Sequence, residues 1–244
     1  MKLNPSKCVF GVVSGKFLGF MVSQRGIEAN PKKVQAIINM VSPRTVKEVQ
    51  KLTGRIAALN RFVSRATDKC LPFFKTLKRA FVWTDECEAA FQELKRYLSN
   101  SPLLSPSKGG ENLYLYLAVS TTVRAALIRE EAKKQLPVYY VSQAFQGVES
   151  NYPRIEKIAF ALILALRKLR QYFQANLILV MTDQPIKKSI NRPKAAGRMV
   201  QWAIELSQFD IEYLSRMAIK AQALADFIVE FTFLNEDNST NEAE

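Results

Sequence analysis

The chain has 244 residues, 48% of them hydrophobic, which is enough apolar material for one large or two modest domains with packed cores. It has no histidine and only three widely spaced cysteines, Cys8, Cys70 and Cys87, which excludes Ser-His and Cys-His nucleophilic sites, His-bearing zinc sites and a disulfide framework. The net charge of +13 is concentrated in the first 110 residues, with 19 Lys and Arg against 7 Asp and Glu, whereas the remainder carries 16 against 15. A basic lobe joined to a nearly neutral one points to a polyanionic partner for the front, nucleic acid being the commonest; a merely solvated basic surface is the plainer alternative.

Residues 17–22 form an apolar run that enters the turn Ser23-Gln24-Arg25-Gly26, with Ile27 starting the return, so a β-hairpin is expected. Thr45-Val46-Lys47-Glu48 has the form of a capping box, and Val46, Val49, Leu52, Thr53, Ile56 and Leu59 recur at helical spacing, which predicts a helix over 46–59. On another face of that helix Lys47, Lys51 and Arg55 make a basic stripe, and Gly54 removes bulk beside it at a propensity cost of about 1 kcal/mol. Arg61 and Arg65 continue the basic character, although three cations in a stripe also describe an ordinary solvated face. Asp85 with Glu88 three residues later reads as the cap of a second helix, whose apolar face is Cys87, Ala90, Phe91, Leu94, Tyr97 and Leu98. The Ser, Pro and Gly punctuation of 99–110 places a domain boundary there.

Beyond it, 113–119, 123–129 and 137–142 read as three strands of an antiparallel meander. A helix follows Pro153, its stripe running from Ile155 to Phe173, and 177–181 is flat enough for a fully buried strand that closes at Thr182-Asp183-Gln184-Pro185. Leu224, Phe227, Ile228 and Phe231 form a last helical stripe, with Asp226 beside it. Glu156, Asp183 and Asp226 thus fall on an early helix turn, a strand end and a terminal helix, from which they could converge on a divalent ion. Taken singly, each is more often a solvated charge or a cap. The last ten residues carry four acidic side chains and no large apolar one, so a disordered tail is expected.

Several of these segments resemble the gypsy-type retrotransposon polyprotein, from about Leu3 to Phe231. Leu3-Asn4-Pro5-Ser6-Lys7-Cys8-Val9-Phe10 with Lys16-Phe17-Leu18-Gly19-Phe20 resembles the end of the palm and the primer-grip hairpin of reverse transcriptase. Val46-Lys47-Glu48-Val49-Gln50-Lys51-Leu52-Thr53-Gly54-Arg55 resembles the thumb helix, and Phe81-Val82-Trp83-Thr84 the approach to the RNase H region. Pro137-Val138-Tyr139-Tyr140-Val141-Ser142, Ile155-Glu156-Lys157, Thr182-Asp183-Gln184-Pro185 and Ala223-Leu224-Ala225-Asp226 resemble its RNase H-like domain. The family's first-strand aspartate, in an Asp-Ala-Ser context, aligns with Ala118 of Ala118-Val119-Ser120, and no Tyr-x-Asp-Asp polymerase motif occurs in the sequence.

The resemblance implies a mixed α+β chain. The expected units are the end of the palm with a primer-grip hairpin (1–40, including Phe17, Leu18, Gly19 and Phe20), a mainly helical thumb and connection region (41–110), an RNase H-like α/β domain with a mixed sheet (111–233) and the tail (234–244). It implies nucleic-acid binding through Lys47, Lys51, Gly54, Arg55 and Arg61, with an RNA–DNA hybrid or duplex as partner, and with the missing palm and fingers or a following active RNase H domain as further partners. Glu156, Asp183 and Asp226 are the remnant catalytic and metal-binding carboxylates. Mg²⁺ is the implied cofactor, expected not to bind productively without the residue that would bridge both ions. If the three converge, Ala118→Asp is expected to restore metal binding. The leading expectation is a reverse transcriptase fragment that holds template and primer without catalysis; a weak metal-dependent ribonuclease H and a non-functional remnant are the alternatives. With no apolar run of ~18 residues and no signal-peptide pattern, a cytoplasmic or nuclear location is expected.

Overall fold

The computed structural model describes residues 11–17, 19–77, 81–100, 103–190 and 197–215. The expectations for residues 1–10, for Leu18, for the terminal stripe with Asp226 and for the acidic tail lie outside these residues.

The apolar run at 17–22 is not one strand. Gly19 takes a φ of +83°, a left-handed conformation that glycine adopts without steric penalty, and it divides the run into β1 (Ser14–Phe17) and β2 (Phe20–Ser23). With β3 (Gly26–Ala29) these form an antiparallel sheet in the order β1-β2-β3, one strand more than the expected hairpin. An apolar run carries no mark of an internal turn except its glycine.

Four helices follow: α1 (Pro31–Ile38), α2 (Val46–Ala57), α3 (Ala66–Leu77) and α4 (Asp85–Ser99). α2 begins at the anticipated capping box. Thr45 Oγ1 accepts the Glu48 N–H at 3.2 Å, while the Glu48 carboxylate reaches back to the Arg44 N–H at 2.6 Å. α4 is capped one residue earlier than expected, by Thr84, whose hydroxyl accepts the Cys87 N–H at 3.3 Å. Asp85 instead occupies the first helical position, where its charge meets the positive end of the helix dipole. Glu88 is engaged by the Trp83 indole N–H at 2.9 Å.

The second sheet contains the anticipated antiparallel meander of β4 (Leu113–Val119), β5 (Thr122–Glu131) and β6 (Lys134–Ala144). β7 (Ile178–Met181) and β8 (Ile211–Leu214) add in parallel beyond β4, giving the order β6-β5-β4-β7-β8. The helical stripe after Pro153 is interrupted at Leu169, so α5 (Arg154–Lys168) is followed by a separate α6 (Arg170–Ala175). α7 (Ile186–Ile190) and α8 (Gly197–Leu206) lead into β8.

Each face of the five-stranded sheet carries its own core, because successive residues of a strand point to opposite sides. On one face Leu113, Leu115, Leu117, Val123, Ala125 and Leu127 meet Ala159, Leu162 and Leu166 of α5, together with α7 and α8. On the other, Tyr116, Ala118, Ala126, Ile128, Tyr140 and Met181 meet Ile37, Leu52, Phe62, Phe73, Phe91 and Leu94 from the front lobe. The basic lobe is therefore a third layer on the sheet. Within the segment 99–110, Leu104 is fully buried and exchanges backbone hydrogen bonds with Ile27 at 2.7 and 3.0 Å, and the Ser105 N–H donates to the Pro137 carbonyl at 2.7 Å. The architecture is the mixed α/β one expected, with a helical front lobe and a five-stranded mixed sheet.

Candidate functional site

Ala118 lies on β4 with its methyl in the core shared with the front lobe, 7% exposed. Glu156 rises from the first turn of α5, the helix that covers the opposite face. Its carboxylate is bound by Arg198 at the start of α8, whose Nε donates at 2.8 Å and whose Nη2 also donates, while the guanidinium carbon sits 4.3 Å from the centre of the Tyr152 ring. Asp183 is exposed just after β7, beside Thr182, whose hydroxyl accepts the Gln184 N–H at 3.1 Å. Asp226 is outside the described residues. Among the described residues no three acidic or cysteine side chains gather into a metal-holding cluster. Within the described residues the Ala118 methyl offers an ion no lone pair, and the Glu156 carboxylate is paired with Arg198.

A different polar cluster occupies the Ala118 face. Ala118, Arg124 and Ser142 are direct cross-strand partners on β4, β5 and β6, so their side chains form one row. The Arg124 side chain is 1% exposed; its Nη2 donates to Ser120 Oγ at 2.7 Å, and its Nε lies 3.4 Å from Asp68 Oδ2 of α3. Asp68 also accepts the Thr122 hydroxyl at 2.5 Å and faces Arg65 Nε at 3.4 Å. The Thr67 N–H donates to Ser142 Oγ at 3.1 Å, so the amino end of α3 is seated on the row. Burial pushes the Arg124 guanidinium below its ordinary value, and the Asp68 charge pulls it back. The sequence signal for this cluster is the arginine inside the apolar run Val123-Arg124-Ala125-Ala126-Leu127, because a buried strand holds a charge only against a partner.

The five residues expected to meet nucleic acid divide in two. Lys47 and Lys51 are exposed on α2, and Gly54 is exposed with nothing within 4 Å of where a Cβ would stand, so no contact among the described residues demands the glycine. Arg55 turns inward, donating to the Ala36 carbonyl near the end of α1 and lying 3.5 Å from Met40 Sδ. With Met40, Val41, Ser42, Arg44 and Glu48, Lys51 and Arg55 line an open groove of about 340 Å³. Arg61 stands apart, between the lobes, stacked on Tyr139 at 4.8 Å and Phe20 at 5.5 Å and donating to the Tyr172 hydroxyl at 3.2 Å. Of the hairpin residues, Phe20 packs on Phe62 with ring centres 5.6 Å apart.

Residues 83–180 match the family described as the RNase H-like domain found in reverse transcriptase, a span that begins at α4. The chain is 28% identical over 249 residues to the retrovirus-related Pol polyprotein from transposon 297 of Drosophila melanogaster, covering 100% of this chain and 23% of that protein. It is 30% identical over 220 residues to the corresponding polyprotein from transposon 412, also of Drosophila melanogaster, covering 88% and 18%. The chain thus spans about a quarter or less of the curated relatives it matches. Among solved structures, the foamy viral protease-reverse transcriptase in complex with an RNA/DNA hybrid shares the fold, with a TM-score of 0.71 at 23% identity, over 85% of this chain and 30% of that one.

Proposed function

We propose, for a chain that carries the RNase H-like domain found in reverse transcriptase and whose homologues are retrovirus-related Pol polyproteins of transposons, that it is the thumb and connection part of a gypsy-type enzyme, holding template and primer without catalysis of its own. The observation that carries this reading is a division of charge. Exposed Lys47 and Lys51 precede a bare helical turn at Gly54, where a phosphate backbone can come close, while the remnant carboxylate site lacks an oxygen at Ala118 and has Arg198 on Glu156. The partner is an RNA–DNA hybrid or duplex, and the polymerase palm and fingers would complete the assembly.

Binding to duplex nucleic acid is expected to fall steeply with salt, as counterions are released. Replacing Lys47 and Lys51 together by Ala should lower the log-log salt slope by about 2, one per phosphate contact. Arg55→Ala should instead act mainly on stability, since its guanidinium serves α1. An unchanged slope in the double variant would remove α2 from the interface. Metal-dependent cleavage of an RNA–DNA hybrid by the unmodified chain would favour the weak ribonuclease H reading.

A further inference from the structure

We propose that the sheet face at Ala118 has become a joint between the lobes: Arg124 of β5 takes Asp68 of α3, and the pair seats a helix where the resemblance places a metal-binding carboxylate. The inference rests on the reading of a non-catalytic RNase H-like domain and gives that domain a positive use. Ala118, Arg124 and Ser142 stand in one cross-strand row. Two of the three are contacted by consecutive residues of α3: Ser142 by the Thr67 N–H at 3.1 Å, and Arg124 by Asp68 at 3.4 Å. Thr122 adds a third tie to Asp68 at 2.5 Å. The helix enters this seat through Arg65, which holds a φ of +55°, uncommon for a residue with a side chain; its own guanidinium faces Asp68 at 3.4 Å.

The identity of residue 118 belongs to the same arrangement. Cross-strand partners have Cβ atoms ~4.5–5.5 Å apart, so a carboxylate at 118 would stand beside Arg124 and compete with Asp68 for it. Alanine leaves the arginine to the other lobe. Asp68 and Arg124 are thus positioning residues, which hold the lobe carrying Lys47 and Lys51 in register with the sheet. On this account Ala118→Asp does not rebuild a metal site, because Arg124 neutralises the new carboxylate.

The test uses the full chain and thermal unfolding of Asp68→Asn, Ala118→Asp and the double variant, with Mn²⁺ alone as the metal probe, followed by electron paramagnetic resonance. Asp68→Asn should lower the melting temperature by several degrees. The same change in the Ala118→Asp background should cost clearly less, because Asp at 118 inherits Arg124. Free Mn²⁺ should be undiminished by either protein. Equal losses in both backgrounds, or stoichiometric Mn²⁺ uptake by Ala118→Asp that Asp183→Asn removes, would overturn the joint. If Asp68→Asn fails to fold, Arg124→Lys is read in the two backgrounds by the same comparison. Hybrid cleavage by the unmodified chain would refute the non-catalytic reading while leaving the Asp68 and Arg124 coupling intact, so the two failures are distinguishable.

Discussion

The two faces of the five-stranded sheet are built by different rules. The α5 face is closed mainly by apolar side chains from the sheet strands and from the helices that follow β6, namely α5, α6, α7 and α8. The other face is closed by a lobe that precedes the sheet in the chain. Its apolar packing is supplemented by directed contacts to the sheet: Thr67 to Ser142, Asp68 to Thr122 and Arg124, and the Ser105 N–H to the Pro137 carbonyl. Apolar burial is non-directional and tolerates small rearrangements, whereas a buried polar atom is costly unless its partner is in place. The first face therefore supplies stability, and the second also fixes one orientation of the lobes.

The strongest challenge to this contrast is to truncate each core. Phe62→Ala and Leu162→Ala, both at fully buried positions, should cost about 3–5 and 2–5 kcal/mol respectively. If the faces share one cooperative unit, calorimetry will show a single transition lowered in both variants; two separated transitions would make the lobes independent. Next in size is Gly26→Ala. A Cβ there would stand 2.4 Å from the Leu104 carbonyl oxygen at a φ of +138°, so a loss of about 1–3 kcal/mol is expected, with faster proteolytic cutting near 103–105. Arg61→Ala should cost about 1–2 kcal/mol through its two ring contacts and the Tyr172 bond, with little change in the salt slope of nucleic-acid binding. A drop of one in that slope would return Arg61 to the nucleic-acid interface.

On the α5 face the outlying ion pair offers a smaller effect. Arg167 grips Glu205 through two hydrogen bonds, at 3.0 and 2.8 Å, and holds its carboxyl below the usual carboxylate range. A depressed folded value means that the stabilisation is present above the unfolded value and is lost as pH falls through the folded one. Because the Arg167 side chain is 55% exposed, the pair is worth under ~1 kcal/mol, and Arg167→Gln should only slightly flatten the acid limb of urea midpoints. Least disturbed of all should be Cys70, whose thiol burial pushes up to about 12, with Asp68 adding to the rise. It should resist alkylation at pH 8 until the chain unfolds; labelling of the native protein would mean that α3 parts from α2.

The same contrast explains what could be read from the amino-acid order. Strands β4 to β6, the buried β7 and the body of α5 follow from periodicity, which reports the environment of a residue relative to its near neighbours. The Thr45 cap is equally plain, because it needs only local chemistry and a short motif. Gly19 is visible in the sequence but its φ is not, so an apolar run that suggests one strand folds as parts of two. Lys47, Lys51 and Arg55 fall on one helical stripe, yet Arg55 turns to a carbonyl of α1, a choice made by a helix that α2 meets only in three dimensions. Asp68 and Arg124 are far apart in sequence, and nothing in either neighbourhood names the other.

The bond between Ile27 and Leu104 also sets an order of events during synthesis. As the chain leaves the ribosome, β3 is made long before the residue that covers its outer edge, so the first sheet must wait with a row of backbone donors and acceptors uncovered. Such an edge is a template for another nascent chain. Fragments ending ahead of Leu104 are therefore expected to associate with one another and sediment, and extending them past Ser105 should return them to solution.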